Sequence, residues 1–85
     1  MEFTKYALCF KALGDETRVE IINMLRSGKM CACKILEKFD ITQPTLSYHM
    51  KHLTDSGLVI VEKEGIWNHY SLNKELMDSL INFLK

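Results

Sequence analysis

Two of the chain's three cysteines stand one residue apart in "KMCACKIL", residues 29 to 36. As thiolates, sulfurs at that spacing can close on one soft ion or pair under oxidation. Extended backbone aims residues i and i+2 to the same side, so Cys31 and Cys33 are candidate metal ligands. Lys29 and Lys34 flank them, and a helix start expected just beyond adds partial positive charge, both favouring the thiolate. Two sulfurs do not fill a tetrahedral zinc site. They suit a soft ion satisfied by few ligands; trivalent arsenic wants a pyramid of three sulfurs, and antimony and cadmium are comparably soft. The competing reading makes both cysteines small apolar residues packed near a helix start. The third thiol, Cys9, falls at the edge of an apolar helical face, where a cysteine is usually packing. An odd cysteine count without secretion signals argues against a disulfide framework.

The elements that must position these thiols follow from the spacing of apolar residues. Phe3, Tyr6, Ala7, Phe10 and Leu13 share one helical face, and "GDETR" breaks and restarts the chain with Asp15 as an N-cap. A second helix through Val19, Ile22, Met24 and Leu25 ends at Gly28. A third is expected over roughly 32 to 39, and "DITQP" then turns the chain into a fourth, about 43 to 55, with Pro44 in its first turn. "LVIVEKEGIWNHYSL" reads as two strands around Gly65, and a last amphipathic helix covers about 73 to 84. The order is four helices, a β-hairpin and a helix: mainly α with a small β-hairpin wing, a winged helix-turn-helix. The boundaries expected are one domain over 1–85, helix-turn-helix about 32–56, wing about 58–72, and terminal helices 3–13 and 73–84 for dimerisation.

The fourth helix divides into two faces. Leu46, Met50 and Leu53 fall in a narrow arc at ~100° per residue and form a buried seam. Ser47, Tyr48, Lys51 and His52 stand opposite, with Thr45 toward the N-terminal edge and His49 nearer the buried side. A major-groove reader needs short polar groups near its N-terminus and cations further along for phosphates. Gln43, Thr45, Ser47 and Tyr48 supply the first set, and Lys51, His49 and His52 the second; Gln also suits bidentate pairing with adenine. Lys63 beside Gly65 offers a wing contact to backbone, although Glu62 and Glu64 on either side make the wing less basic than DNA favours. The plain alternative is a solvated polar face.

Composition limits the choices. With 85 residues, 47% hydrophobic and 26% charged, the chain has globular composition near the lower size for a self-sufficient core, and such chains often complete it by pairing with a copy. Formal net charge is +0, so bulk electrostatics does not point to nucleic acid. No apolar run reaches membrane-spanning length. The N-terminal "MEFTKYALCF" has no hydrophobic signal core or cleavage site, so a cytoplasmic location is expected. Triad spacing, a phosphate loop and paired carboxylates are all missing from the sequence, which argues against an enzyme.

"ALGDETRVEIINML", "CACKIL", "ITQPTLSYHMKHLTDSGLV" and "EKEGIWNHYSL" together resemble the ArsR/SmtB family of metal-responsive winged-helix repressors, over roughly 10 to 73. The arsenical-resistance repressors look nearest, with a Cys-x-Cys at this point and a similar G-x-W-x-H-Y-x-L wing. The resemblance implies a homodimer on double-stranded operator DNA near its own gene, leaving when an inducer, As(III) or another thiophilic ion, binds. Where those relatives often place a third cysteine, this chain has Leu36. In related sensors an N-terminal cysteine completes the site across the dimer, so the resemblance makes Cys9–Cys31–Cys33 conceivable. The family's other sensor site, carboxylates and histidines on the last helix, lacks its histidine in "NKELMDSLINFLK". Two further functions stay open: a thiol redox or reactive-sulfur sensor of the same fold, and a protein-binding winged-helix module.

Overall fold

The computed structural model describes residues 3–85. Helix α1 (Phe3–Leu13) ends at Gly14, and Asp15 starts α2 (Glu16–Leu25) by accepting the Arg18 backbone N–H at 3.1 Å. Gly28 carries the chain away from α2 at a φ of 136°, a conformation that costs a side chain dearly. A two-residue strand β1 (Met30–Cys31) follows, then α3 (Ala32–Leu36) and α4 (Gln43–Asp55). Thr42 caps α4 by accepting the Thr45 N–H, and Pro44 sits in the first turn, where no N–H is needed. Strands β2 (Val59–Glu64) and β3 (Trp67–Leu72) form the wing, and α5 (Lys74–Leu84) closes the chain.

This is the expected winged helix-turn-helix with two amendments. The hairpin is part of a three-stranded antiparallel sheet in the order β1-β3-β2, with Met30 opposite Tyr70 and Cys31 opposite His69. The third helix is also shorter than the spacing suggests. After Leu36 the chain winds down in tight turns, with Lys38 N–H donating to Ile35 O and Phe39 N–H to Leu36 O.

Two apolar clusters hold these elements. The larger joins Ala12, Ile21, Leu25, Ile35, Val59 and Tyr70 to the buried seam of α4, Leu46, Met50 and Leu53. The smaller sets Cys9 of α1 against Leu58 and the Leu76 and Leu80 of α5. Arg18 is only 8% exposed; its Nε donates to the Ala12 carbonyl at 2.7 Å and its terminal nitrogen lies 3.2 Å from His49 Nδ1. Arginine can only donate, so His49 accepts there. One guanidinium thus connects the end of α1, the first turn of α2 and the middle of α4.

Asn73 makes a comparable joint at the other end. Its side-chain oxygen accepts the Leu76 N–H at 3.1 Å, capping α5, while its amide nitrogen donates to the Gly57 carbonyl at 3.0 Å. Its backbone N–H reaches Leu58 O at 2.8 Å. Asn73→Ala is expected to lower unfolding free energy by about 1–2 kcal/mol, the usual cost of a lost cap. Asn73→Asp keeps the cap and loses the Gly57 bond, so it should fall between. Urea denaturation of the three proteins at one protein concentration measures the order.

Candidate nucleic-acid interface and dithiol

Cys31 is the last residue of β1 and the N-cap of α3, and Cys33 lies in the first turn of α3. The backbone between them passes from strand to helix, so the shared direction expected of an extended segment is not what aligns the sulfurs. They converge nonetheless, with Sγ atoms 2.8 Å apart, Cys33 exposed and Cys31 half-buried. The Cys33 thiol donates to Cys31, and that bond, followed by the Cys33 backbone N–H, lowers the Cys31 pKa below its ordinary value. The same contact raises Cys33, which must give up the donated proton beside a charged neighbour. Charge on Lys34 contributes least among the groups favouring the Cys31 thiolate, and Lys29 is engaged elsewhere, 3.5 Å from Glu62. Hydrogen bonding more than nearby lysines favours the Cys31 thiolate, while Cys33 is shifted the other way.

Cys9 is not brought to this pair. It is fully buried in the smaller cluster, its thiol 3.7 Å from the Ser56 carbonyl, and burial raises its pKa. Among the described residues no group of three or more His, Cys, Asp or Glu side chains is placed to hold a metal ion.

The outward face of α4 carries Gln43, Thr45, Ser47, Tyr48 and Lys51, all exposed. Gln43 Nε2 donates to Ser47 Oγ at 3.1 Å, and Thr45 shares a hydroxyl contact of 3.0 Å with Thr42. Tyr48 is 58% exposed, with the His52 ring set edge-on at 4.7 Å. Lys51 reaches Asp55 at 3.1 Å along the helix. His49 stands apart from this face. Its imidazole lies against Arg18 and 3.8 Å from Asp15, which makes it part of the joint between α1, α2 and α4.

Along the wing, successive side chains alternate between faces. Val61, Lys63, Asn68 and Tyr70 face α4, and with Ser47, Met50, Lys51, Thr54 and Asp55 they line an open groove of about 580 Å³. Glu62 and Glu64 take the opposite face, where Glu62 meets Lys29 and Glu64 meets His69 at 3.1 Å. The acids that weakened the wing in the sequence are therefore turned away from Lys63. Asn68 went unrecognised from sequence, yet its place two residues before buried Tyr70 is the signal that puts it on the α4 side.

Helix, turn, helix and a sheet-anchored wing define a winged helix-turn-helix protein. A family model described as bacterial regulatory protein, arsR family, matches residues 15–61, from the cap of α2 into the wing. The arsenical resistance operon repressor of Staphylococcus aureus is 42% identical over 84 residues, 99% of this chain and 81% of that protein. The protein of the same name in Bacillus subtilis is 43% identical over 79 residues, covering 92% and 75%. The crystal structure of an ArsR family transcriptional regulator superposes with a TM-score of 0.88 at 26% identity, over 95% of this chain and 84% of that one. The chain belongs to the ArsR family. That class consists of transcriptional regulators, not enzymes.

The asymmetry of the dithiol has a direct readout. Across a pH series of iodoacetamide labelling followed by mass spectrometry, Cys31 should react at the lowest pH, Cys33 later, and Cys9 only after unfolding. Cys33→Ala removes the thiol donor, so the Cys31 midpoint should move to higher pH.

Proposed function

We propose that the chain is a homodimeric repressor that binds double-stranded operator DNA through α4 and the wing, and releases it when a thiophilic metal or metalloid ion binds Cys31 and Cys33. The observation that carries this reading is the position of the 2.8 Å dithiol, at the residue where β1 becomes α3. Backward through the sheet it is hydrogen-bonded to β3 of the wing; forward it enters the helix-turn-helix. A ligand that draws both sulfurs onto itself pulls on both reading elements together. A coupling of ~1–3 kcal/mol between inducer and DNA suffices for control, and DNA then weakens inducer binding by the same factor.

Gln43, Thr45, Ser47 and Tyr48 meet base edges in the major groove, and Lys51 and His52 approach phosphates. Lys63 and Asn68 extend the contact along the wing. His49 supports this face through Arg18 and does not contact DNA. Each subunit brings few cations, so two half-sites about one helical turn apart must be engaged together. The dimer forms through α1 and α5, where Phe3, Tyr6 and Phe10 gather around Phe83 and leave apolar surface exposed. A repressor of this kind works in the reducing cytoplasm, where the thiols stay free. No helix among the described residues is long and apolar enough to cross a membrane.

A second reading has its own support. A lowered Cys31 thiolate touching the Cys33 thiol is also the start of an oxidation, so the same pair can serve as a redox or reactive-sulfur sensor. Operator affinity with and without arsenite, for wild type and for Cys31→Ser/Cys33→Ser, tests the first reading. Wild type should lose affinity ~5–150-fold and the double variant should not respond. Loss of binding to an oxidant without metal, reversed by a reductant, favours the second.

On the DNA side, Lys63→Ala should weaken binding evenly across operator sequences and reduce the slope of log affinity against log salt by about 1. Gln43→Ala should instead narrow the gap between operator and unrelated DNA, by about 1–3 kcal/mol if Gln43 pairs with a base.

A further inference from the structure

His49 belongs to the helix assigned to DNA, yet its side chain is turned inward and only 12% exposed. Its Nδ1 accepts from the Arg18 terminal nitrogen at 3.2 Å, which requires a bare ring nitrogen there. The same Nδ1 lies 3.8 Å from Asp15 Oδ2. That oxygen already accepts the Arg18 backbone N–H at 3.1 Å as the cap of α2. Histidine is the side chain that ordinarily changes charge between about pH 5 and 8. A proton taken up at Nδ1 removes the acceptor and sets two cations 3.2 Å apart in a joint largely closed to solvent. The acceptor left for it is the Asp15 carboxylate, which then divides between the imidazolium and the cap. One proton thus exchanges the partner of His49, from a side chain that also grips α1 to one that does not. Among the described residues no other charged side chain is paired with His49. From α1 the joint receives the Ala12 carbonyl, which Arg18 Nε occupies, while Lys11 lines a cleft with His52, Asp55 and Ser56 further along α4. On α4 itself the neighbour is the Tyr48 ring, edge-on at 5.5 Å.

We propose that Arg18 and His49 are positioning residues for DNA reading and that a proton on His49 releases their hold, so that operator affinity falls as pH falls. The inference rests on the assignment of α4 to DNA and adds a proton as its regulator. The unprotonated joint fixes α4 against both α1 and α2, with Ser47, Tyr48 and Lys51 outward. The competent state is therefore the one present above the titration of His49, and it is lost as pH drops through it. His52 has the opposite sign. Assigned to phosphates, it strengthens binding when it gains charge. The two histidines pull the pH profile in opposite directions, and His52→Gln isolates the inward one.

The test measures affinity for a labelled duplex from upstream of the chain's own gene, from about pH 8 to about pH 5. Thiols are kept reduced, no inducer is added, and the proteins compared are His52→Gln and His52→Gln/His49→Asn. Asparagine places Oδ1 where Nδ1 stands, so it accepts from Arg18 and cannot take a proton. His52→Gln should lose affinity ~5–150-fold across the range, the size of an ordinary coupling between sites. The double variant should keep its high-pH affinity to the acid end. Everything else that titrates is common to both proteins. NMR of the wild-type chain without DNA gives a readout independent of how the variants fold. The neutral His49 ring should carry its proton on Nε2, and the Arg18 Nε–H signal should shift with the same midpoint as the ring. Identical pH profiles for the two variants, a neutral ring protonated on Nδ1, or an Arg18 signal blind to His49 would each overturn the proposal. If the wild-type chain binds no duplex at any pH, the assignment of α4 to DNA has itself failed and the proposal falls with it.

Discussion

A buried arginine sets the angle of the recognition helix. Arg18 takes a charge out of water, which is tolerable only if its donors are satisfied. Nε donates to the Ala12 carbonyl at the end of α1 and one terminal nitrogen to His49 in the middle of α4, and among the described residues no fully buried side-chain nitrogen or oxygen lacks a partner. Three helices are therefore fixed relative to one another by directional bonds and not by apolar contact alone, which would allow sliding. The outward direction of Ser47, Tyr48 and Lys51 follows from that, because His49 on the same helix is held inward. A polar residue in α4 thus serves to hold the helix in place.

The second constraint is the short pairing of β1 with β3. Two residue pairs, Met30 with Tyr70 and Cys31 with His69, bind the wing to the body and place the dithiol on the seam. Without them the wing would be an isolated two-stranded hairpin, marginal by itself in water. With them, a displacement at Cys31 is felt by β3 through backbone hydrogen bonds. The path from the thiols to the wing is shorter than the path through α3 and the turn to α4.

Much of this was legible in the sequence, for particular reasons. Leu46, Met50 and Leu53 repeat at helical spacing over thirteen residues, long enough for periodicity to speak. Asp15 stands just ahead of the apolar period of α2, as a cap does. Strand β1 was not legible: two residues have no period, and its partner lies far along the chain. The third helix is shorter than its spacing suggests because Phe39 continues the apolar period while the Lys38 and Phe39 hydrogen bonds tighten into turns. A helical wheel shows the angle of His49 but not the guanidinium beside it. The charge balance of the wing was readable in principle, since alternation alone separates Lys63 from Glu62 and Glu64.

Strand β2 has one further consequence. It is an outer strand of the sheet, with backbone groups unpaired along one side, and its first half, Val59 to Val61, is a run of strongly strand-forming residues. Such a border invites another chain to add itself and continue the ladder, with aggregation as the result. The second half reads Glu62, Lys63, Glu64, alternating charges that any incoming strand would have to desolvate. The charged half of the strand is thereby a guard against self-association, which lets a small protein carry a naked β margin.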